Sequence, residues 1–274
     1  MLTKAVTLRA SVQFFQQIMF MYIQFIPIAV GATAAMTEIW TGSKKSYTME
    51  RYNIFNQVHK GLRAFLYNTA LQVQQTDFGR TAEAIATLET INDILHHFTQ
   101  HALYVERFLF PFIREYNPVL TNTIKQQYQA NVALAQRLRG FMTVYDHAVS
   151  SSEKTETGRA LARSFTGFLV ANLEYMNRED SLLNNTLWRH YTDAELEGLE
   201  KEIACSLAPK DLAVYSKWMV RGMSNTEIIK WLRAQERSTH ACIFRSFFYT
   251  AEKELPEHRW LQIQEALAEG ALMA

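Results

Sequence analysis

The stretch HHFTQHALYVERFLFP, His96 to Pro111, sets three histidines and one glutamate in an otherwise apolar run. Imidazole nitrogens and carboxylates are the donors that hold Zn, Fe or Mn, so the first question is which of them face inward. On a wheel of roughly 100° per residue, the apolar face centres on Phe98, Ala102, Val105 and Leu109. His101 lies roughly 60° from that centre and can turn inward, whereas His97 is about 100° off and His96 further round, which puts both at the surface or its boundary. Glu106 is about 80° off, on the flank opposite His101. Val105, four residues after His101, shares its face. A His-x-x-x-Glu chelating pair is therefore missing, with Glu106 the adjacent carboxylate.

Other apolar faces repeat the feature. His59 falls between Val58 and Leu62, and Asn131 sits with Ile124, Leu134, Ala135 and Leu138. Tyr175 and Glu179, at i and i+4, line up with Phe168, Asn172 and Leu183. A buried polar group must find a partner, so polar groups on four apolar faces together point to a shared interior site.

The elements that must position these groups are helices. Apolar residues recur at helical spacing along four long segments, about 49–75, 81–116, 119–145 and 159–188, and no alternating Val/Ile/Thr-rich run suggests a strand. Short connections between long helices favour antiparallel neighbours. The expectation is an all-α chain whose residues 49–190 form an antiparallel up-down four-helix bundle. Pro118 and the loop SSSEKTETG are expected to bound the third helix. Residues 191–274 read as an appendage of four or five short helices packed on the bundle. Thr192-Asp-Ala-Glu195 and Ser224-Asn-Thr-Glu227 are capping boxes, and Pro209 and Pro256 stand where a first turn tolerates proline.

The N-terminus, 1–48, reads as a separate leader or a poorly ordered apolar segment. Lys4 and Arg9 precede the apolar run IMFMYIQFIPIAV and the small residues GATAA, a pattern that a secretory signal shares. Several glutamines and Pro27 argue against a spanning helix, so a membrane is not an expected partner. Lys plus Arg total 28 against 27 Asp plus Glu, without a basic patch, so nucleic acid is not expected either. Cys205 and Cys242 are the only cysteines and suit a reducing compartment. The expected location is cytoplasmic, with export the alternative if residues 1–35 act as a signal. Phosphate-binding loops, nucleophile elbows and H-E-x-x-H are all missing.

The segments RYNIFNQVHKGLRAFL, HALYVERFLFPFI and NLEYMNREDSLLNNTLWRHYTDAEL resemble the corresponding parts of bacterial hemerythrin-like (HHE cation-binding) proteins. The resemblance spans about residues 49–200 and extends to PKDLAVYSKWMVRGMSNTEIIKWL, similar to a tail carried by some of that family. It implies a four-helix bundle around two non-heme irons. Their ligands would be a first-helix His, a second-helix His-x-x-x-Glu, a third-helix His and a fourth-helix His-x-x-x-carboxylate. By position His59 and His101 match the first two, and Glu179 matches the last carboxylate. Val105, Asn131 and Tyr175 replace the bridging Glu and two of the histidines, with Glu106 beside the lost bridge.

The resemblance thus implies that the residues serving one iron survive and those serving the other are gone. His59, His101 and Glu179 make a two-His-one-carboxylate set, suited to one non-heme Fe(II) and open to Zn or Mn; two irons would need a further bridge such as Glu106. Tyr175 would be a fourth ligand or a hydrogen-bond donor beside it. The implied function is metal binding or response to O₂, NO or redox state. Two alternatives stay open. A metal-free helical scaffold, with the same residues hydrogen-bonded to one another, would bind a protein or an apolar ligand. An oxidative enzyme would need a substrate-binding motif that the sequence lacks, so the reading leans away from an enzyme.

Overall fold

The computed structural model describes residues 51–272, and all their regular structure is helical. The expected leader lies outside these residues. The first long helix, α1 (Asn56–Gln75), is followed by α2 (Thr81–Tyr104), a π-helical turn (Val105–Leu109) and short α3 (Phe110–Arg114). Pro111 has no N–H for a carbonyl one turn back, and its ring crowds that carbonyl. The helical register changes just before it. Next come α4 (Pro118–His147) and α5 (Ser151–Arg178), then a second π-helical turn (Glu179–Leu183) and α6 (Asn184–His190). No proline accounts for that second turn.

Helix ends follow local chemistry. Asn117 caps α4, accepting from the Leu120 amide at 3.0 Å, with Pro118 in the first turn. The expected loop SSSEKTETG is mostly helix instead. Ser150 and Glu153 form a reciprocal capping box, so α5 starts at Ser151 rather than near Arg159. Beyond it are α7 (Asp193–Ser206), α8 (Pro209–Gly222), α9 (Asn225–Ser238), α10 (Ala241–Glu254) and α11 (Glu257–Leu272). Capping boxes at Thr192/Glu195 and Ser224/Glu227 open α7 and α9.

Two apolar cores meet at the level of His59. One holds Leu62, Phe65, Ile94, Phe98, Leu138, Phe168 and Met176, together with Tyr215 and Trp218 of α8. The other holds Phe55, Val105, Leu109, Ile124, Tyr175, Leu183 and Leu196. The end of α8 and the helices after it close a third around Met223, Trp231, Phe247 and Trp260.

α8 lies hard against α1. A Cβ on Gly61 would stand 2.8 Å from the Met219 nitrogen, and one on Gly222 only 2.3 Å from the Lys60 carbonyl oxygen. Absence of a side chain at both positions lets the two backbones touch. Phe65 stacks on Trp218 at 4.3 Å, and Lys60 pairs with Glu227 of α9. The C-terminal helices thus grip α1 one residue from His59. Among the described residues no helix is long and apolar enough to cross a membrane.

Candidate metal centre

On each of three helices the site residue separates the first two cores. Leu62 and Phe55 flank His59, Phe98 and Val105 flank His101, and Met176 and Leu183 flank Glu179. All three site residues are buried. His59 Nε2 lies 3.2 Å from His101 Nε2 and 3.2 Å from Glu179 Oε2, and His101 Nε2 lies 3.0 Å from the same oxygen. Donors about 2.0–2.1 Å from a common ion stand about 2.9–3.4 Å apart for octahedral to tetrahedral angles. The observed triangle falls in that range, so His59, His101 and Glu179 form a group that can hold a metal ion.

Surrounding residues hold the triangle in place. Phe55 stacks on the His59 ring at 4.9 Å and presents its edge to His101 at 6.5 Å. Phe55 is itself set by Asn53, whose side-chain oxygen accepts from the Phe55 amide at 2.9 Å and from Asn184 Nδ2 at 2.7 Å. His59 Nδ1 donates to Asp180 Oδ1 at 2.9 Å, which turns Nε2 toward the triangle. Asp180 in turn takes Arg63 Nη2 at 2.5 Å. Sequence reasoning missed Asp180 because Glu179 filled the carboxylate position; the available signal was Arg63, one turn after His59 on the same helix.

Charge is concentrated here. Burial opposes ionisation of Glu179, but His101 and His59 hold it down to about 2. For His59, burial pushes downward and is outweighed by Asp180 and Glu179, so it ends raised. Asp180 is held low, burial being overcome by His59 and Arg63. Glu179 Oε1 is buried without a hydrogen-bond partner. An unpaired buried carboxylate oxygen is expensive, and coordination to a cation would satisfy it.

Of the other expected residues, Tyr175 and Val105 are buried in the core on this side of the site. Burial and the nearby Glu179 charge push the Tyr175 phenol well above its usual value. Asn131 is buried and donates to Asn172 at 3.2 Å, an amide pair outside the triangle. Glu106 is not in the triangle: half-buried, it forms an ion pair with Lys125 of α4. His97, expected at the surface or its boundary, is only 4% exposed, because the α8 residue Tyr215 closes over it. A wheel drawn for one helix cannot register a neighbour that covers its flank.

Two π-helical turns bracket the centre, one beginning four residues after His101 and the other at Glu179 itself. Such turns are frequent at functional sites, because the extra residue re-aims side chains relative to a regular helix. The sequence carries no plain sign of either. Compared with protein-family models, curated proteins and solved structures, this chain matches none.

Proposed function

We propose that α1, α2 with its π turn, α4 and α5 form a hemerythrin-like four-helix bundle holding one divalent metal. His59, His101 and Glu179 would be its protein ligands, with Tyr175 beside them and the remaining positions open. The observation that carries this reading is the convergence of three buried donor atoms at 3.0–3.2 Å beside an unpartnered Glu179 oxygen. Two imidazoles and one carboxylate with open positions suit non-heme Fe(II), whose chemistry when bound is reversible interaction with O₂ or NO and redox change. Zn or Mn would fit the same donors. The chain's own part is to fix the His59 tautomer through Asp180, to exclude water with Phe55 and Val105, and to keep Glu179 ionised. The role would be metal binding or a response to O₂, NO or redox state.

A second reading, a metal-free scaffold, is favoured by the hydrogen bonds that already link His59 to Asp180 and His101 to Glu179. Anaerobic purification from iron-replete cells followed by elemental analysis separates the two. The metal reading expects one equivalent of metal that is lost in Glu179→Gln. Equal metal content in wild type and Glu179→Gln would refute it.

A further inference from the structure

A second cluster of donors lies where α2 meets α8. His96 and His97 are consecutive on α2, and Asp211 sits in the first turn of α8. His96 Nε2 is 3.3 Å and His97 Nε2 3.9 Å from the same Asp211 oxygen, and the three donor atoms all lie within 4.8 Å of one another. His97 Nδ1 donates to the Asp93 carbonyl at 2.7 Å, which leaves Nε2 as the lone pair. That lone pair is buried without a hydrogen-bond partner and faces a carboxylate. The Asp211 oxygen has His96 Nε2 within hydrogen-bond reach, whereas the His97 nitrogen beside it has no partner.

The ring cannot easily turn away from this position. Tyr215 meets it edge-on at 5.3 Å, its hydroxyl donating to the His97 carbonyl at 2.9 Å, and Phe65 meets it from another side at 6.1 Å. A ligating histidine usually has its other ring nitrogen fixed by a carbonyl, as His97 Nδ1 is here.

We propose that His96, His97 and Asp211 form a second cation site, separate from the triad, that takes a zinc-class divalent ion and clamps α8 to α2. Two imidazoles and one carboxylate match the donor preference of Zn(II) and Co(II). The His96 side chain is 41% exposed, so water reaches the remaining positions. Donors around such an ion stand about 3.3 Å apart. The His96–Asp211 edge already has this spacing, and the His97–Asp211 edge must close by about half an ångström. The triad is preformed by comparison, so the second site binds more weakly. Its ion would join two segments more than a hundred residues apart in the chain and secure the C-terminal helices against α2.

The test uses the full metal-free chain, titrated with Zn(II) by calorimetry and with Co(II) by its visible spectrum. Glu179→Gln is expected to keep one equivalent of Zn(II). In Asp211→Asn and His96→Ala the affinity of that equivalent should fall at least tenfold, and the rise in melting temperature on adding Zn(II) should shrink by the part this site supplies. Asp211→Asn binding nothing while Glu179→Gln binds one ion would support this site and dismiss the triad as a metal centre. Folded Glu179→Gln that binds no Zn(II), or unchanged affinity in both other variants, overturns the proposal. If Glu179→Gln does not fold, wild type decides instead. It should lose one equivalent in Asp211→Asn and in His96→Ala, and an unchanged count overturns the proposal.

Discussion

Gly222→Ala tests whether the C-terminal helices are seated directly on α1. In a helix, alanine normally gains about 0.5–1 kcal/mol over glycine. At Gly222 the new Cβ would lie 2.3 Å from the Lys60 carbonyl oxygen and 2.6 Å from its carbon. Neither atom can rotate aside, and ordinary contact begins at about 3.5 Å. α8 must therefore withdraw by about 1 Å, loosening the Phe65–Trp218 stack and the Lys60–Glu227 pair. Overpacking of this kind costs about 1–3 kcal/mol. Gly140, on the exposed side of α4, has nothing within 4 Å of its Cβ position, so alanine there should stabilise. The two variants are expected to differ by about 2–4 kcal/mol. Urea unfolding followed by circular dichroism measures both against wild type. If Gly222→Ala is as stable as Gly140→Ala, the close crossing of α1 and α8 is wrong.

Asp180→Asn should weaken the proposed metal binding at the triad about 10–100-fold without unfolding the chain, because Asp180 holds His59 Nδ1 and would not touch the ion; a chelator competition titration that finds unchanged affinity would dismiss that role. Glu227→Gln should cost about 1–3 kcal/mol at neutral pH. Burial raises the Glu227 pKa, but Lys60, the Ser224 amide and hydroxyl, and Asn56 outweigh it and hold it at about 2. A depressed carboxylate stabilises above its unfolded value of 4.5 and loses that contribution as pH falls toward 2, so melting curves of the two proteins should converge near pH 2. Divergence that persists at pH 2 would show the loss to be steric. Val105→Glu with Tyr175→His and Asn131→His should raise metal capacity at the triad by one ion and lower apo stability, read by elemental analysis and thermal melts.

Helical period and capping chemistry were legible along most of the chain. The capping boxes at Thr192 and Ser224 start helices where expected, and Val105 and Tyr175 point into the interior as their spacing requires. His59, His101 and Glu179 each declared themselves as a polar residue on an apolar face, and that is local information. What stayed hidden depends on other helices. His97 is buried only because α8 crosses α2, and Glu106 is drawn aside by Lys125, nineteen residues on. Asp180 became readable only beside Arg63, from a different helix. The start of α5 is a different kind of omission. Ser150 and Glu153 form a capping box of the same type as those recognised further along, inside a stretch whose polarity suggested a loop.

The two readings of the triad differ in how many positive charges occupy one point. Three donor atoms meet pairwise at 3.0–3.2 Å, and each close pair needs a proton or an ion between its lone pairs. His59 spends its Nδ1 proton on Asp180, so neutral His59 offers only a lone pair at Nε2. His101 Nε2 can direct one proton at Glu179 or at His59, not at both. A metal-free centre with neutral rings thus leaves a lone pair facing its neighbours, in a place with no exposure at His59 or Glu179. It is relieved only by making His59 an imidazolium, whose burial is offset by Glu179 and Asp180. A divalent ion would meet all three atoms at once and displace that proton. Metal uptake and proton release are then one event, and affinity should rise with pH as His59 gives up its second proton.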